Sequence, residues 1–213
     1  MEIPLILKLK KASHKEIAKA QDLIIEEIYK TFDKAVLHGG TAIWRCYQGN
    51  RFSEDIDMYI IKNPEKINLF FEALKKGGFK IAKKKIWEKS IHSTLELNRT
   101  IVRFEAIFKK INGTLKEYQT AEGNLITIYT LTPEELIKEK VNAYLKRYKV
   151  RDLYDIFFLL RYVENKTPIK KELSLFISNF KQPIDKKELK VLIIEGLIPG
   201  IDKMLEYIKD YCK

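Results

Sequence analysis

Cysteine is scarce in this chain: Cys46 and Cys212 are its two cysteines among 213 residues. They lie far apart, and no Cys-x-x-Cys or Cys/His spacing accompanies them, which argues against a disulfide framework and a zinc site. No apolar run reaches the ~18 residues that span a bilayer, and the apolar stretch near the N-terminus is too short for a signal peptide. We therefore expect a cytoplasmic protein with free thiols and no membrane partner.

Acidic residues are outnumbered, with 29 Asp and Glu against 40 Lys and Arg, for a formal net charge of +11 at pH 7. This excess favours a polyanionic partner such as nucleic acid or nucleotide phosphates. Lysine enrichment also accompanies thermal stabilisation, so charge alone does not identify the partner. A hydrophobic content of 46% and an aromatic content of 11% exclude intrinsic disorder.

Hydrophobic periodicity predicts an α/β part up to about residue 130 and a helical part after it. We therefore expect two domains, 1–130 and 131–213. A capping box at Ser13–Glu16 and another at Thr132–Glu135 predict the starts of two helices. Further predicted helices are 41–47, 64–76, 153–163 and the stretch from Pro168 onward, and the predicted strands are 35–38, 56–60, 79–82, 94–97, 101–108 and 125–129.

Two aspartates interrupt the apolar run of the predicted strand 56–60. Asp55 and Asp57 alternate with Ile56 and Met58, and a period of two places both carboxylates on one face of the strand. A carboxylate in apolar surroundings is costly unless a positive charge lies beside it. Two such carboxylates, together with substrate phosphates, are ligands that Mg²⁺ prefers.

A glycine pair precedes the aspartates, at the end of the predicted strand 35–38. Gly39 and Gly40 allow the backbone to approach a ligand closely, and the first N–H groups of the following helix can bind a phosphate. A glycine pair by itself is more often only a tight turn. Together with the two carboxylates, it points to phosphoryl chemistry at a metal site.

The stretch LHGGTAIWRCYQGNRFSEDIDMYII, residues 37–61, resembles the minimal nucleotidyltransferase superfamily, whose pattern is Gly-Gly or Gly-Ser, a spacer, and Asp-x-Asp. GGTA followed by RFSEDIDM is most similar to the AbiEii/AbiGii branch, the nucleotidyltransferase toxins of type IV-like toxin–antitoxin systems. EKVNAYLKRYKVRDLYDIFFLL, residues 139–160, is similar to the downstream signature of that branch. The resemblance covers residues 37–160.

The resemblance implies roles for residues of both motifs. The expected nucleotide ligands in the first motif are Gly39, Gly40 and Thr41. Ser53, just before the aspartates, is interpreted either as a further phosphate contact or only as a turn former. Asp55 and Asp57 are expected to bind Mg²⁺, or Mn²⁺ in its place. A third carboxylate on a neighbouring strand would complete the metal site and take the proton of the attacking hydroxyl. Glu105 is our choice because its strand alternates more regularly, and Glu96 is the alternative.

In the second motif, Lys140 and Arg147 are seven residues apart and so lie on one face of a helix. The resemblance implies that Lys140 binds the triphosphate, with Arg147 beside it. Asp152 and Asp155 also share a face, where they either have a functional role, orienting Arg151, Lys140 or the ribose, or simply pair with the surrounding basic residues. Arg51, which precedes the aspartates, is interpreted either as a phosphate contact or as a surface residue.

The fold implied is α/β (α+β): a nucleotidyltransferase fold with a small mixed sheet and flanking helices, followed by a helical lobe that completes the nucleotide site. The implied reaction is magnesium-dependent transfer of a nucleoside monophosphate from a nucleoside triphosphate to an acceptor hydroxyl, at the 3′ end of tRNA. A cognate antitoxin would neutralise this activity. The alternatives are a protein or small-molecule acceptor, and a non-catalytic nucleotide- or RNA-binding module.

Overall fold

The computed structural model describes residues 3–212, so residues 1, 2 and 213 of the two predicted domains lie outside it. The chain divides into two compact units. The first contains the residues up to Gln48 and Phe52–Thr130, and the second contains Gly49–Arg51 and the residues from Leu131 onward. Within the described part, no helix is long and apolar enough to cross a membrane.

Among its described residues, the first unit combines four helices with the strands of one mixed sheet. Its helices are α1 (Leu5–Lys8), α2 (Ala12–Thr31), α3 (Gly39–Cys46) and α4 (Pro64–Lys76). Its strands are β1 (Val36–His38), β2 (Ile56–Ile60), β3 (Lys80–Ile86), β4 (Ser90–Leu97), β5 (Thr100–Phe108), β6 (Thr114–Gln119) and β7 (Leu125–Thr130). The strand order is β3-β4-β5-β2-β1-β7-β6.

The strands at the centre of this sheet have different orientations. β2 pairs with β1 in antiparallel and with β5 in parallel fashion, and β1 pairs in parallel with β7. One face of β5 is buried, since Val102, Phe104 and Ala106 are almost inaccessible and the ring of Phe104 packs 5.0 Å from that of Phe70 on α4. The residues between them, such as Arg103, point to the opposite face, which is open to solvent.

The second unit is helical within the described residues. Its α-helices are α5 (Pro133–Arg147), α6 (Val150–Leu159), α7 (Lys170–Ser178), α8 (Leu189–Leu192) and α9 (Ile201–Tyr211). Tyr144 on α5 is buried against Phe176 and Phe180, with ring centroids 5.1 Å and 5.8 Å away. Its hydroxyl donates a hydrogen bond to the backbone carbonyl of Lys181, at 2.6 Å, so this tyrosine belongs to the core.

The two predicted capping boxes have different outcomes. The one at Thr132 is confirmed: its hydroxyl accepts from the N–H of Glu135 at 3.3 Å, and the Glu135 carboxylate accepts from the N–H of Thr132 at 2.9 Å. The one at Ser13 is wrong, because α2 begins at Ala12 and its N-cap, Lys11, makes no side-chain cap. Alanine favours the helix strongly, so Ser13 already lies inside the first turn and lacks the extended backbone of a capping residue.

Three strands differ from the sequence-based expectation. β3 runs to Ile86 rather than to Ala82, β4 begins at Ser90 rather than at Thr94, and β6 was not predicted. β3 is an edge strand with mostly exposed side chains and the sequence KIAKKKI, so it lacks the apolar alternation of a half-buried strand. Lysines protect such an edge from pairing with another chain, which explains a strand that hydrophobic periodicity does not reveal.

Candidate active site

The glycine turn at the start of α3 is shaped around a carboxylate of the same unit. Gly39 has φ +70°, a conformation that favours glycine, and a Cβ built on it would overlap Oδ2 of Asp57. Any other residue at position 39 would therefore displace the Asp57 side chain. The glycine is required here to bring Asp57 against the first turn of a helix, where backbone N–H groups favour negative charge.

Asp57 has a second carboxylate as its neighbour across the sheet. Asp57 on β2 and Glu105 on β5 are direct partners in the parallel register, so their side chains lie on the same face about 4.8 Å apart at the backbone. Glu96 pairs instead with Ile101, near the start of β5 and four residues before Glu105. This register favours Glu105 over Glu96 as the third carboxylate, and the catalytic role of Glu105 stays a prediction.

The side chain of Asp55 is held by an arginine. Nε and Nη2 of Arg103 on β5 donate to its two carboxylate oxygens, at 2.6 Å and 3.0 Å. These hydrogen bonds and the Asp55 charge raise the pKa of Arg103 above its usual value. The backbone carbonyl of Asp55 accepts a hydrogen bond from the fully buried hydroxyl of Thr41, which ties β2 to α3. The Thr41 hydroxyl is therefore engaged within the protein.

The side chain of Glu105 contacts a histidine on the next strand. Its Oε2 lies 3.3 Å from Nδ1 of His92, and the other ring nitrogen of His92 lies 3.2 Å from the hydroxyl of Ser90. The side chains of Glu105 and His92 are each 46% exposed. A ligand reaching Glu105 can thus displace a partner that is itself in contact with water.

The three predicted metal ligands, Asp55, Asp57 and Glu105, share one face of the sheet but are directed to different partners. Among residues 3–212, no three His, Cys, Asp or Glu side chains stand close enough to hold a metal ion. Asp55 is turned toward Arg103, and Glu105 toward His92. Carboxylate oxygens are the ligands that Mg²⁺ prefers, so the chemistry of these three side chains fits this ion.

Ser53 occupies a buried position just before these carboxylates. It is 9% exposed, and its backbone carbonyl accepts a hydrogen bond from the Gln21 side chain at 2.9 Å. This contact fixes the segment that leads into β2 against α2. The predicted contact between Ser53 and a phosphate stays a prediction.

The second unit contains a different charged cluster, centred on Asp155 of α6. Nε and Nη2 of Arg51 donate to the two oxygens of this carboxylate, both at 2.8 Å, and Nζ of Lys140 lies 2.7 Å from its Oδ2. The side chains of Asp155, Arg51 and Lys140 are only 1%, 5% and 8% exposed. The cluster is therefore almost completely removed from water.

The charges of this buried cluster shift each other's ionisation. Burial alone would raise the pKa of Asp155, but the Arg51 and Lys140 charges outweigh it, and the pKa lies below its usual value. Burial alone would lower the pKa of Arg51, but the Asp155 charge outweighs burial, and the pKa of Arg51 lies above its usual value. Arg51 is thus a buried partner of Asp155, not the surface residue that the sequence allowed. Because Arg51 and Asp155 are 104 residues apart in the sequence, no local pattern predicts that they pair.

Asp152 extends the cluster toward solvent. Nε and Nη2 of Arg147 each lie 2.8 Å from one of its oxygens, and Lys140 Nζ lies 3.7 Å from its Oδ1. Asp152 is fully buried, whereas the Arg147 side chain is 43% exposed. Lys140 and Arg147 thus reach the same carboxylate, in line with their spacing on one helix. Their contacts with a nucleotide stay a prediction.

One family model and several solved structures match this chain. The family model described as "Nucleotidyl transferase AbiEii toxin, Type IV TA system" matches residues 26–201. A search of curated proteins by sequence finds no match. Among solved structures, MenT4, a nucleotidyltransferase toxin from Mycobacterium tuberculosis, is similar with a TM-score of 0.70 and 17% identity, over 98% of this chain and 86% of that one.

Two structures from Helicobacter pylori share the same fold. JHP933 matches with a TM-score of 0.59 and 17% identity, over 92% of this chain and 90% of its own. A putative nucleotidyltransferase matches with a TM-score of 0.58 and 20% identity, over 92% of both chains. At these identities the structures establish a common fold, and the family model establishes the class of enzyme.

Proposed function

The chain belongs to the AbiEii family of nucleotidyltransferase toxins of type IV toxin–antitoxin systems, and from this premise we propose that it acts on RNA, at the 3′-terminal hydroxyl of tRNA, with Mg²⁺. The observation that carries the chemistry is the pairing of Asp57 with Glu105 on the open face of the sheet, beside a glycine turn that brings Asp57 to a helix start. Membership of this family also implies a cognate antitoxin.

In the proposed reaction, the oxygen of the acceptor hydroxyl forms a bond to the α-phosphorus of the nucleoside triphosphate. The bond from that phosphorus to the β-phosphate bridging oxygen breaks, and pyrophosphate leaves. Glu105 accepts the proton of the hydroxyl, as a general base within reach of solvent. A divalent cation, when bound, would make the acceptor hydroxyl easier to deprotonate and would neutralise charge on the leaving pyrophosphate. Asp55, Asp57 and Glu105 are the residues that would hold it.

The first sequence motif is proposed to bind the nucleoside triphosphate. Backbone N–H groups at Gly39 and Gly40 would donate to phosphate oxygens at the start of α3. In the second motif, Lys140 and Arg147 keep their predicted role as sources of positive charge, and the carboxylates of Asp155 and Asp152 hold their side chains. For the acceptor, the net charge of +11 supports RNA, since lysine and arginine contacts with phosphates supply much of the affinity for nucleic acids.

The test is a transfer assay with each of the four α-³²P-labelled nucleoside triphosphates, total tRNA and Mg²⁺. We expect label on tRNA from one triphosphate, and its loss by a factor of 10² or more in Asp55→Asn/Asp57→Asn, because the metal ligands are gone. Glu105→Gln should slow transfer by roughly 10²–10⁴ through loss of the general base, whereas Glu96→Gln should retain it. The matched surface control is Asp33→Asn, an exposed aspartate of the same unit.

Each alternative acceptor gives a different result in this assay. Label that appears on an added protein or small molecule, and not on tRNA, would contradict the RNA acceptor while leaving the metal-site assignment intact. Undiminished transfer in a folded Asp55→Asn/Asp57→Asn variant would contradict the metal site itself. Equal losses in Glu105→Gln and Glu96→Gln would remove the assignment of the third carboxylate.

A further inference from the structure

A groove of about 360 Å³ lies on the open face of the sheet of the first unit, across β3, β4 and β5. It is separate from the glycine turn, and its lining combines cationic, aromatic and acidic side chains. The residues that carry the argument are Lys83, Lys85, Trp87, His92, Arg103 and Glu105. We call it the Trp87 groove.

The strand register aligns the Trp87 groove with the carboxylates. Lys85 pairs with His92, His92 with Glu105, and Glu105 with Asp57, so these residues form one row across four strands. Strands are about 4.8 Å apart, which puts the backbone of Lys85 roughly 14 Å from that of Asp57. A ligand lying along the row can therefore contact the lysine end and the carboxylate end together.

The charge of the Trp87 groove changes along this row. Lys83 and Lys85 lie on the edge strand, exposed and on the groove face, while the acidic Glu105 lies at the inner end. Lys84, between the two lysines, points to the other face, with its ammonium 4.8 Å from the ring of Phe71. Paired lysines at one end and a candidate base at the other suit a polyanion whose terminus carries the reacting group.

Trp87 adds an aromatic surface at the lysine end. Its side chain is 55% exposed, and Nζ of Lys85 lies 5.7 Å from the ring centroid. The backbone N–H of Trp87 donates to the carbonyl of Ser90 at 2.8 Å, which fixes its position in the turn between β3 and β4. An exposed ring next to cations is the combination that binds unpaired bases, by stacking on the ring and contacting the adjacent phosphates.

We propose that the Trp87 groove binds the unpaired 3′ end of the RNA acceptor. A base stacks on Trp87, Lys83 and Lys85 contact the phosphates next to it, and the terminal hydroxyl extends toward Glu105 and Asp57. This inference rests on the proposed function in one respect, which is that the strand that binds here is the one that receives the nucleotide. It assigns the acceptor strand to the open face of the sheet in the first unit.

The experiment measures binding without chemistry, with neither nucleoside triphosphate nor metal present. The probe is a six-nucleotide single-stranded RNA ending in CCA, added to the intact protein while tryptophan fluorescence is recorded. The chain has two tryptophans, and Trp44 is only 2% exposed, so quenching by the RNA reports on Trp87. Trp87→Phe keeps an aromatic ring and removes the signal, which verifies this assignment.

Affinity is measured in parallel by the fluorescence anisotropy of the same RNA labelled at its 5′ end. Lys83→Ala/Lys85→Ala should weaken binding roughly tenfold and lower the slope of log affinity against log salt by about 1.4, since two phosphate contacts to a single strand are lost. Trp87→Leu should also weaken it roughly tenfold, because it keeps apolar area but cannot stack. The matched control is Lys76→Ala/Lys84→Ala, which removes the same charge outside the groove and should bind nearly as well as wild type.

Quenching of Trp87 together with selective loss in the groove variants supports RNA binding in the Trp87 groove. If no transfer to tRNA is observed in that case, the proposed function fails, and with it the assignment of the bound strand as the acceptor. RNA binding without quenching, and with equal effects of the groove and control lysine pairs, overturns the proposal even if tRNA is labelled. Absence of any RNA binding overturns it as well. Transfer kinetics add a further check, since the groove variants should raise KM for the RNA more than they lower kcat.

Discussion

The two units each contain an aspartate held by both Nε and Nη2 of an arginine, and the surroundings of the two pairs are opposite. In the first unit, Asp55 and Arg103 have side chains 27% and 55% exposed. In the second, Asp155 and Arg51 are 1% and 5% exposed, and Lys140 adds another cation. The hydrogen-bond geometry is nearly the same, so exposure is the difference that decides what each pair contributes.

An ion pair in contact with water adds little stability, because water and salt stabilise the separated charges almost as well. A buried pair is different: its net contribution can be small, but removing one partner leaves a buried charge without compensation. The Asp155 cluster is therefore expected to be structurally indispensable. The Asp55–Arg103 pair is expected to be exchangeable, so that its carboxylate is available to a ligand.

The largest expected effect is on stability. Asp155→Ala leaves the buried charges of Arg51 and Lys140 without their carboxylate and should lower the free energy of unfolding by about 3–5 kcal/mol. Asp55→Ala should cost no more than ~1 kcal/mol, because its pair is exposed. Urea titration followed by circular dichroism at pH 7 measures both. Equal losses in the two variants would contradict the comparison. Asp155→Asn, which keeps the shape, tests the charge if Asp155→Ala does not fold.

A second prediction concerns the pH dependence of this difference. The pKa of Asp155 is lowered in the folded protein relative to about 3.9 for an unfolded aspartate. Its ionised form therefore adds stability that is fully present above about pH 5 and is lost as the pH falls to and through the lower, folded pKa. The stability gap between wild type and Asp155→Asn should be constant from pH 7 to 5 and shrink below pH 4. A gap that stays the same at pH 3 would show that the carboxylate charge is not its origin.

The two aspartate–arginine pairs also show which features of the site could be predicted from the sequence. Alternation in the 56–60 stretch was enough to put Asp55 and Asp57 on one face, and the spacing of Lys140 and Arg147 was enough to put them on one helix side. Both rest on local periodicity. The arginine partners of Asp55 and Asp155 were not predictable from local periodicity. Arg103 is 48 residues from Asp55, and Arg51 is 104 residues from Asp155.

β3 shows a second reason why a sequence-based prediction can fail, which is the amino-acid composition of the strand. Its lysine-rich sequence reads as a solvated surface, and only the register with β4 shows that Lys83 and Lys85 face the carboxylate side of the sheet while Lys84 does not. Strand pairing assigns sides to residues that hydrophobicity cannot distinguish. The Trp87 groove is thus a property of the tertiary structure, although each of its residues is visible in the sequence.

The smallest expected effect concerns the exposed pair of the first unit, Asp55 and Arg103. Arg103→Gln removes the cation from Asp55 and should change the free energy of unfolding by no more than ~1 kcal/mol. Because Arg103 would otherwise compete with a metal ion for this carboxylate, Mn²⁺ should bind roughly threefold more tightly to the variant, by isothermal titration calorimetry. Arg99→Gln, at an exposed arginine in the turn between β4 and β5, removes the same charge without touching Asp55 and should leave Mn²⁺ affinity unchanged. Weaker Mn²⁺ binding in Arg103→Gln would mean that the arginine orients Asp55 for the metal instead of competing with it, and Asp55 would then depend on its arginine as Asp155 does.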